Sequence, residues 1–228
     1  MKKMMGGLAA AMGLTTLAGC ASAPPKPSPK DMTFFVTSVG TGKGGDLGGL
    51  EGADQHCAKL AKAVGAPDRT WHAYLSTQAP GLRDTNFVNA RDRIGTGPWQ
   101  NVMGVQVAKS VDDLHSSSSN LTKETALDEK GQVTNGTVDK PNRHDMLTGS
   151  RPDGTAFAGP PFPDMTCGNW TKGGADGSAM VGHHDRAGPM MTSPWATSWN
   201  SSHPTTGCNV EKMRATGGEG TFYCFAAK

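Results

Sequence analysis

Apolar residues change their period several times along this chain, and each change predicts an element. Met32 to Val39 is β-branched and aromatic, which predicts a first strand. A glycine-rich turn, Gly40 to Gly49, follows it. Leu50, Ala53, Cys57, Leu60, Ala61 and Val64 then recur at helical spacing, and Gly65 with Pro67 ends the helix. That spacing puts Cys57 on the buried face. Trp71, Ala73 and Leu75 alternate as a half-buried strand does, and Gly95-Thr96-Gly97-Pro98 marks a turn before a short strand at Val102 to Ala108. From Ser110 to Gly149 the periodicity weakens. Ser116 to Asn120 reads as a polar loop, and Val133 to Val138, centred on Asn135-Gly136, as a tight hairpin. Gly149 to Pro163 and Gly173 to Pro194 carry Gly and Pro at turn density, and Thr221 to Phe225 predicts a short aromatic final strand. The order of strand, helix, strands, long irregular region and closing strands predicts a loop-rich α+β domain with its function in the loops. The sequence has no internal repeat.

The first thirty residues follow a different logic. Met1-Lys2-Lys3 precedes an uncharged, small-residued apolar run from Met4 to Gly19, the pattern of an export signal. The run is short of the ~20 residues of a comfortable span. Leu17-Ala18-Gly19-Cys20 resembles the bacterial lipobox, which implies acylation of Cys20. Pro24, Pro25, Pro27 and Pro29 then read as an extended spacer. Acyl chains contribute ~0.8 kcal/mol per buried methylene, so more than one makes such anchoring stable. The expected organisation is a signal peptide over 1–19, a lipidated tether over 20–30, and a domain over 31–228. Ala21 stands where inner-membrane lipoproteins often carry Asp, so by resemblance the outer membrane is favoured, with the domain in the periplasm or at the cell surface.

Composition narrows the partners. Removing residues 1–19 takes Lys2 and Lys3 and no acid, which leaves equal numbers of basic and acidic residues. A neutral balance gives no electrostatic case for nucleic acid, and it leaves the lipid anchor as the only membrane contact. The 31 glycines and 15 prolines fit a loop-heavy domain, and Trp71, Trp99, Trp170, Trp195 and Trp199 supply large groups for a core.

Cys57, Cys167, Cys208 and Cys224 read as two disulfides in an exported domain, and their number alone allows three pairings. Joining Cys57 of the helix to Cys224 of the last strand would staple the termini and leave Cys167 with Cys208 to close an inner loop. This nested arrangement resembles the C-type lectin-like fold, and more closely a bacterial lectin-like lipoprotein group related to that fold and to endostatin. The matching stretches are Gly45-Asp46-Leu47-Gly48-Gly49-Leu50 with Gly52-Ala53-Asp54 and Cys57, Trp71 to Ser76, Cys167-Gly168-Asn169-Trp170, Ser198-Trp199-Asn200 and Phe222-Tyr223-Cys224-Phe225. The resemblance spans about residues 32–228 and implies the nested pairing. Calcium-dependent members carry Trp-Asn-Asp before the third cysteine, whereas this chain has Trp199-Asn200-Ser201. A serine hydroxyl replaces a carboxylate poorly on a hard cation that takes six to eight oxygens. Pro161-Phe162-Pro163-Asp164 also stands where a Glu-Pro-Asn or Gln-Pro-Asp triplet would be.

Candidate ligand-binding residues lie between Cys167 and Cys208: Asn169, Trp170, His183, His184, Asp185, Trp195, Trp199 and Asn200. Indole faces can pack a sugar ring while amides and carboxylates bond its hydroxyls. The competing reading puts Trp170 and Trp199 in the core and leaves Trp195, in a Pro/Gly-rich segment, free. His183-His184-Asp185, with His203 and His144-Asp145, can also be drawn as a zinc site. Adjacent histidines tend to point apart and the set lacks a helical i, i+4 pair, so one buried His, one loop His and no metal or other cofactor are expected. A copper site using Met190-Met191 is the least favoured variant, and Arg143-His144-Asp145 is read as ordering a turn. Gly-x-Ser-x-Gly, His-Glu-x-x-His and the phosphate-loop motif are all absent from the sequence. The expectation is a non-enzymatic, surface-tethered module that recognises carbohydrate without the usual calcium motif. The alternatives are an envelope protein-interaction lipoprotein and, behind it, a histidine-based metal-binding protein.

Overall fold

The computed structural model describes Met1 and residues 26–227; Cys20, the export signal and Pro24-Pro25 lie outside the described residues. Among the described residues, eleven helices and strands are arranged around one nine-residue strand. In chain order they are β1 (Phe34–Val36), α1 (Gly49–Ala63), β2 (Trp71–Ala73), β3 (Trp99–Gln100), β4 (Gln106–Ala108), α2 (Val111–Leu114), β5 (Asp145–Leu147), α3 (Cys167–Trp170), β6 (Met180–His183), β7 (His203–Pro204), α4 (Val210–Arg214) and β8 (Gly218–Ala226). The architecture is mixed α+β. Among the described residues, no helix is long and apolar enough to cross a membrane.

β8 is nine residues long and pairs with three other strands. Its C-terminal half lies antiparallel to β1, with Phe35 opposite Cys224, and to β2, with Ala73 opposite Cys224. Its N-terminal half pairs in parallel with β5, which continues the sheet through β6 to β7. Side chains alternate across a strand. Phe35, Phe222 and Cys224 therefore enter one core with Cys57 and Trp71, while Phe34, Tyr223 and Phe225 enter a second core with Tyr74, Trp99 and Trp199. Both faces are covered, which is why Phe222-Tyr223-Cys224-Phe225 reads as an unbroken apolar run.

Helix α1 forms where its spacing predicts, with Ala53, Cys57 and Ala61 buried. Asp54 ties it to the sheet: one carboxylate oxygen accepts the Ala73 N–H (2.8 Å), and the other meets His72 Nδ1 (2.7 Å) and Arg93 Nη2 (2.6 Å). Cys57 is bonded to Cys224, and Cys167 to Cys208. The chain already lies against the domain within the expected tether, since Ser28 N–H donates to the Val102 carbonyl (2.7 Å) and Arg69 to that of Lys30 (2.8 Å).

Four expectations are corrected. Val133 to Val138 is not a hairpin: Val133 makes one isolated bridge to Leu127. Carboxylates take the backbone donors a hairpin would use, Asp139 accepting from Gly136 N–H and Asp185 from Thr137 N–H, each at 2.7 Å. The strand predicted over Val102 to Ala108 is the second arm of a hairpin, β3–β4, that turns within that range. Arg143-His144-Asp145 does not order a turn but leads into β5, an interior strand, and β6 lies inside the stretch read as turns.

Candidate functional site

The loops between Cys167 and Cys208 begin with an unusual backbone. Cys167, Gly168, Asn169 and Trp170 all have positive φ, so α3 is a single left-handed turn. For residues other than glycine this costs roughly 1–2 kcal/mol each, and the surroundings must hold it. The Asp164 carboxylate accepts from Thr166 N–H (2.9 Å) and Gly168 N–H (2.7 Å), and the Asn169 amide exchanges two hydrogen bonds with the Gln78 backbone (2.8 and 3.0 Å). The Trp170 indole N–H donates to the Ser76 carbonyl (2.8 Å), and the Cys208 disulfide closes the turn.

Burial divides the expected ligand residues. Trp170 and Trp199 are core residues, with Trp199 packed on Tyr74 and Tyr223 at ring distances of 4.7 and 5.2 Å. Asn200 is buried too, and its amide donates to the Tyr74 hydroxyl and to the Arg151 and Pro152 carbonyls. It is committed to the scaffold, so with Ser201 beside it the calcium site of the lectin fold does not fit. Asn169 is spent on Gln78. His183 is buried at the end of β6, and His184, in the turn that follows, is buried as well. Trp195 is different: it is 42% exposed, with Met190 and Met191 at 54% and 60%.

Trp195 follows Pro194, which with Ser116, Pro152, Arg186, Ser198 and neighbouring residues lines an open groove of about 260 Å³. Arg186 is fixed by donating to the Leu121 carbonyl (2.7 Å) and the Ser119 hydroxyl (3.2 Å). Successive tight turns, Ser193 N–H to the Met190 carbonyl, Ala196 to Ser193 and Ser198 to Trp195, shape the segment that carries the exposed indole. The groove thus offers hydroxyls and a guanidinium, and the chain lining it runs on directly into an exposed indole.

A second cluster lies at the end of the sheet. Asp145 and His183 are cross-strand partners on β5 and β6, on the face that sends Leu147 and Val181 into the core. β7 brings in His203, and His144 precedes β5. One ligand atom each from His144, Asp145 and His183 lies within 4.8 Å of the others, with the His144 and His183 rings stacked at 4.0 Å. His144 Nε2, His183 Nε2 and His203 Nε2 stand 3.2, 3.4 and 3.5 Å from Asp145 Oδ1. Burial works to raise the Asp145 pKa, but His183 and His203 outweigh it and hold the carboxyl below its usual range. Burial likewise opposes ionisation of Asp185, yet the His144 contact (3.2 Å) and the Thr137 N–H pull it down to about 2. His184 points elsewhere, its Nε2 meeting the Asn135 carbonyl at 3.1 Å. Sequence reasoning named all these residues but missed that β5 and β6 would be neighbours. The one signal available was His144-Asp145 beside Met146-Leu147.

No protein-family model matches this chain, and no curated protein matches it.

Proposed function

We propose that this chain is a lipid-tethered, non-enzymatic binding module of C-type lectin-like fold that recognises a glycan through the loops between Cys167 and Cys208. The single observation that carries the reading is Trp195, an exposed indole next in sequence to the groove-lining Pro194, on a segment bracketed by a disulfide. An indole face covers a sugar ring's C–H surface and adjoining hydroxyls and Arg186 bond its oxygens, while the turns have already fixed the loop and so reduce its ordering cost on binding. Support for the fold comes from the two disulfides and from β1 and β8 lying antiparallel, so that the domain's ends meet and its middle forms the loop region. Tethering through Cys20 in the outer membrane rests on the lipobox resemblance.

A glycan array probed with the full chain in detergent tests the reading. Saturable binding to a restricted set of glycans is expected, with Trp195→Ala reducing it at least ~10-fold, a hot-spot loss of about 1.4 kcal/mol or more, and leaving the folding transition unchanged. A second reading, a protein ligand, is favoured by exposed Met190 and Met191 beside Trp195, since clustered apolar surface marks interaction sites. An empty array together with Trp195-dependent capture of one specific envelope protein would replace the glycan with that partner.

A further inference from the structure

A polar cavity of about 240 Å³ opens between the chain at residues 128–135, the start of β8 and the residues that follow β1. It shares no lining residue with the groove next to Trp195. Asp128, 6% exposed, stands in its wall. Asp128 Oδ1 accepts from Lys130 N–H (2.9 Å) and Gln132 N–H (2.8 Å) and so shapes a turn. An asparagine oxygen would serve that turn equally well. The charge and Oδ2 are surplus to it, for among the described residues Oδ2 accepts no hydrogen bond and no cation pairs with Asp128. The adjoining Glu129 shows the contrast. It is 1% exposed, its oxygens accept from the Ser38 N–H and hydroxyl, and Lys130 Nζ stands 3.7 Å away. Burial pushes the Asp128 carboxyl pKa up and Glu129 adds to this, over the opposing pull of the two backbone N–H groups. A buried charge without a partner is costly to keep.

The opposite charge faces the same cavity. Arg143 lines it, with Nε 2.7 Å from Glu219 Oε2. Arg214 Nε and Nη2 occupy the other oxygen of Glu219 at 3.0 and 2.7 Å. Two guanidinium groups thus share one carboxylate, which leaves a positive charge in excess. Asp128 and Arg143 make no ion pair with each other, although both line the cavity. Thr37 and Thr221 complete the buried wall at 1% and 5% exposed. Thr37 Oγ1 accepts from Phe222 N–H (3.1 Å), and the Thr221 hydroxyl is buried without a hydrogen-bond partner.

We propose that this cavity binds a small zwitterion of the α-amino acid class, with its ammonium on Asp128 and its carboxylate on Arg143. An ammonium carries three N–H donors and no acceptor, so Asp128 Oδ2 and neighbouring hydroxyl oxygens suit it. A guanidinium suits a carboxylate in the same way. Val133 is the one apolar residue in the lining, and hydroxyls, amides and charges make up the rest. That composition and the volume favour an amino acid with a small side chain over an aromatic one or a peptide. The site is separate from the glycan groove and stands or falls without it.

Calorimetry on the purified full chain in detergent, with disulfides intact, tests the site at about pH 7.5, where free amino acids are zwitterions. The probes are glycine, L-alanine, L-serine and L-threonine, and saturable binding of at least one is expected. The N-acetylated and amidated forms of that amino acid each lack one charge and should bind at least ~10-fold more weakly. Glucose should not bind. Asp128→Asn keeps an oxygen for the two backbone N–H groups and removes the charge. It should weaken binding at least ~10-fold, while its melt without amino acid matches or exceeds that of the wild type. Arg143→Gln should weaken binding to a similar extent, and because the Arg143 side chain is 40% exposed this variant keeps the test decisive if Asp128→Asn fails to fold. Lys59→Met on α1 should change nothing. Absence of saturable binding to all of these amino acids, glucose binding as tightly as they do, or affinity unchanged in Arg143→Gln would overturn the site.

Discussion

His115 lines the groove with its Nδ1–H on the Val111 carbonyl (2.7 Å) and its Nε2 accepting from the Tyr74 hydroxyl (2.7 Å), which itself accepts from the Asn200 amide. Burial lowers its pKa below the ordinary histidine value; the Val111 carbonyl and the carboxylates of Asp153 and Asp112 oppose this, and Arg91 reinforces it. A histidine whose folded pKa lies below its unfolded value near 6.5 binds more protons when unfolded, so its presence makes stability fall as pH drops below about 6.5. Buried His184 acts with the same sign, and His203, whose pKa is raised, acts against it. His115→Gln is therefore expected to flatten the decline in urea midpoint between about pH 7 and 5. An unchanged or steeper decline would show that His115 is not held neutral. Nothing around His115 in sequence announces this, because Tyr74 and Asn200 reach it from distant segments.

Among the elements, β6 shows most clearly what a sequence conceals. Met180-Val181-Gly182-His183 lies in a stretch dense with Gly and Pro, yet it forms an interior strand because β5 and β7 flank it. Its glycine reports a close approach: a Cβ on Gly182 would stand 1.9 Å from the Trp199 carbonyl oxygen. Backbone cannot step aside as a side chain does, so Gly182→Ala should cost roughly 1–3 kcal/mol or more. At 2–4 °C per kcal/mol for a domain of this size, a thermal melt reads it, and a melt like that of the wild type would mean the loop carrying Trp199 does not pack there. Helix α1 and β8 were legible because local periodicity and aromatic runs encode them. β5 was not, since three residues give no period and its partners come from β6 and β8. The expected Asn135-Gly136 hairpin failed for a related reason: Asp139 and Asp185, carboxylates outside the turn, took its donors.

Across the whole molecule, the two disulfides and the Asp145 cluster divide the scaffold. Cys57–Cys224 closes a separation of 167 residues and Cys167–Cys208 one of 41. In the chain-entropy account these are worth about 5 and 4 kcal/mol, a large share of the stability of a domain with so little regular structure. The first bond joins α1 to the central strand; the second, with the histidines, fixes both ends of the segment that carries Trp195. The candidate ligand face was thus half legible. The cysteines pointed to the right stretch of chain, but Trp170, Trp199 and Asn200 belong to its interior. The most direct test of this account is hydrogen exchange of the full chain with and without a glycan identified on the array. Slowed exchange confined to residues around 186–198 and 115–117 is the expected result. Protection instead at the cleft beside α1, where Lys62, Arg69 and Trp71 meet, with residues 186–198 unaffected, would contradict it.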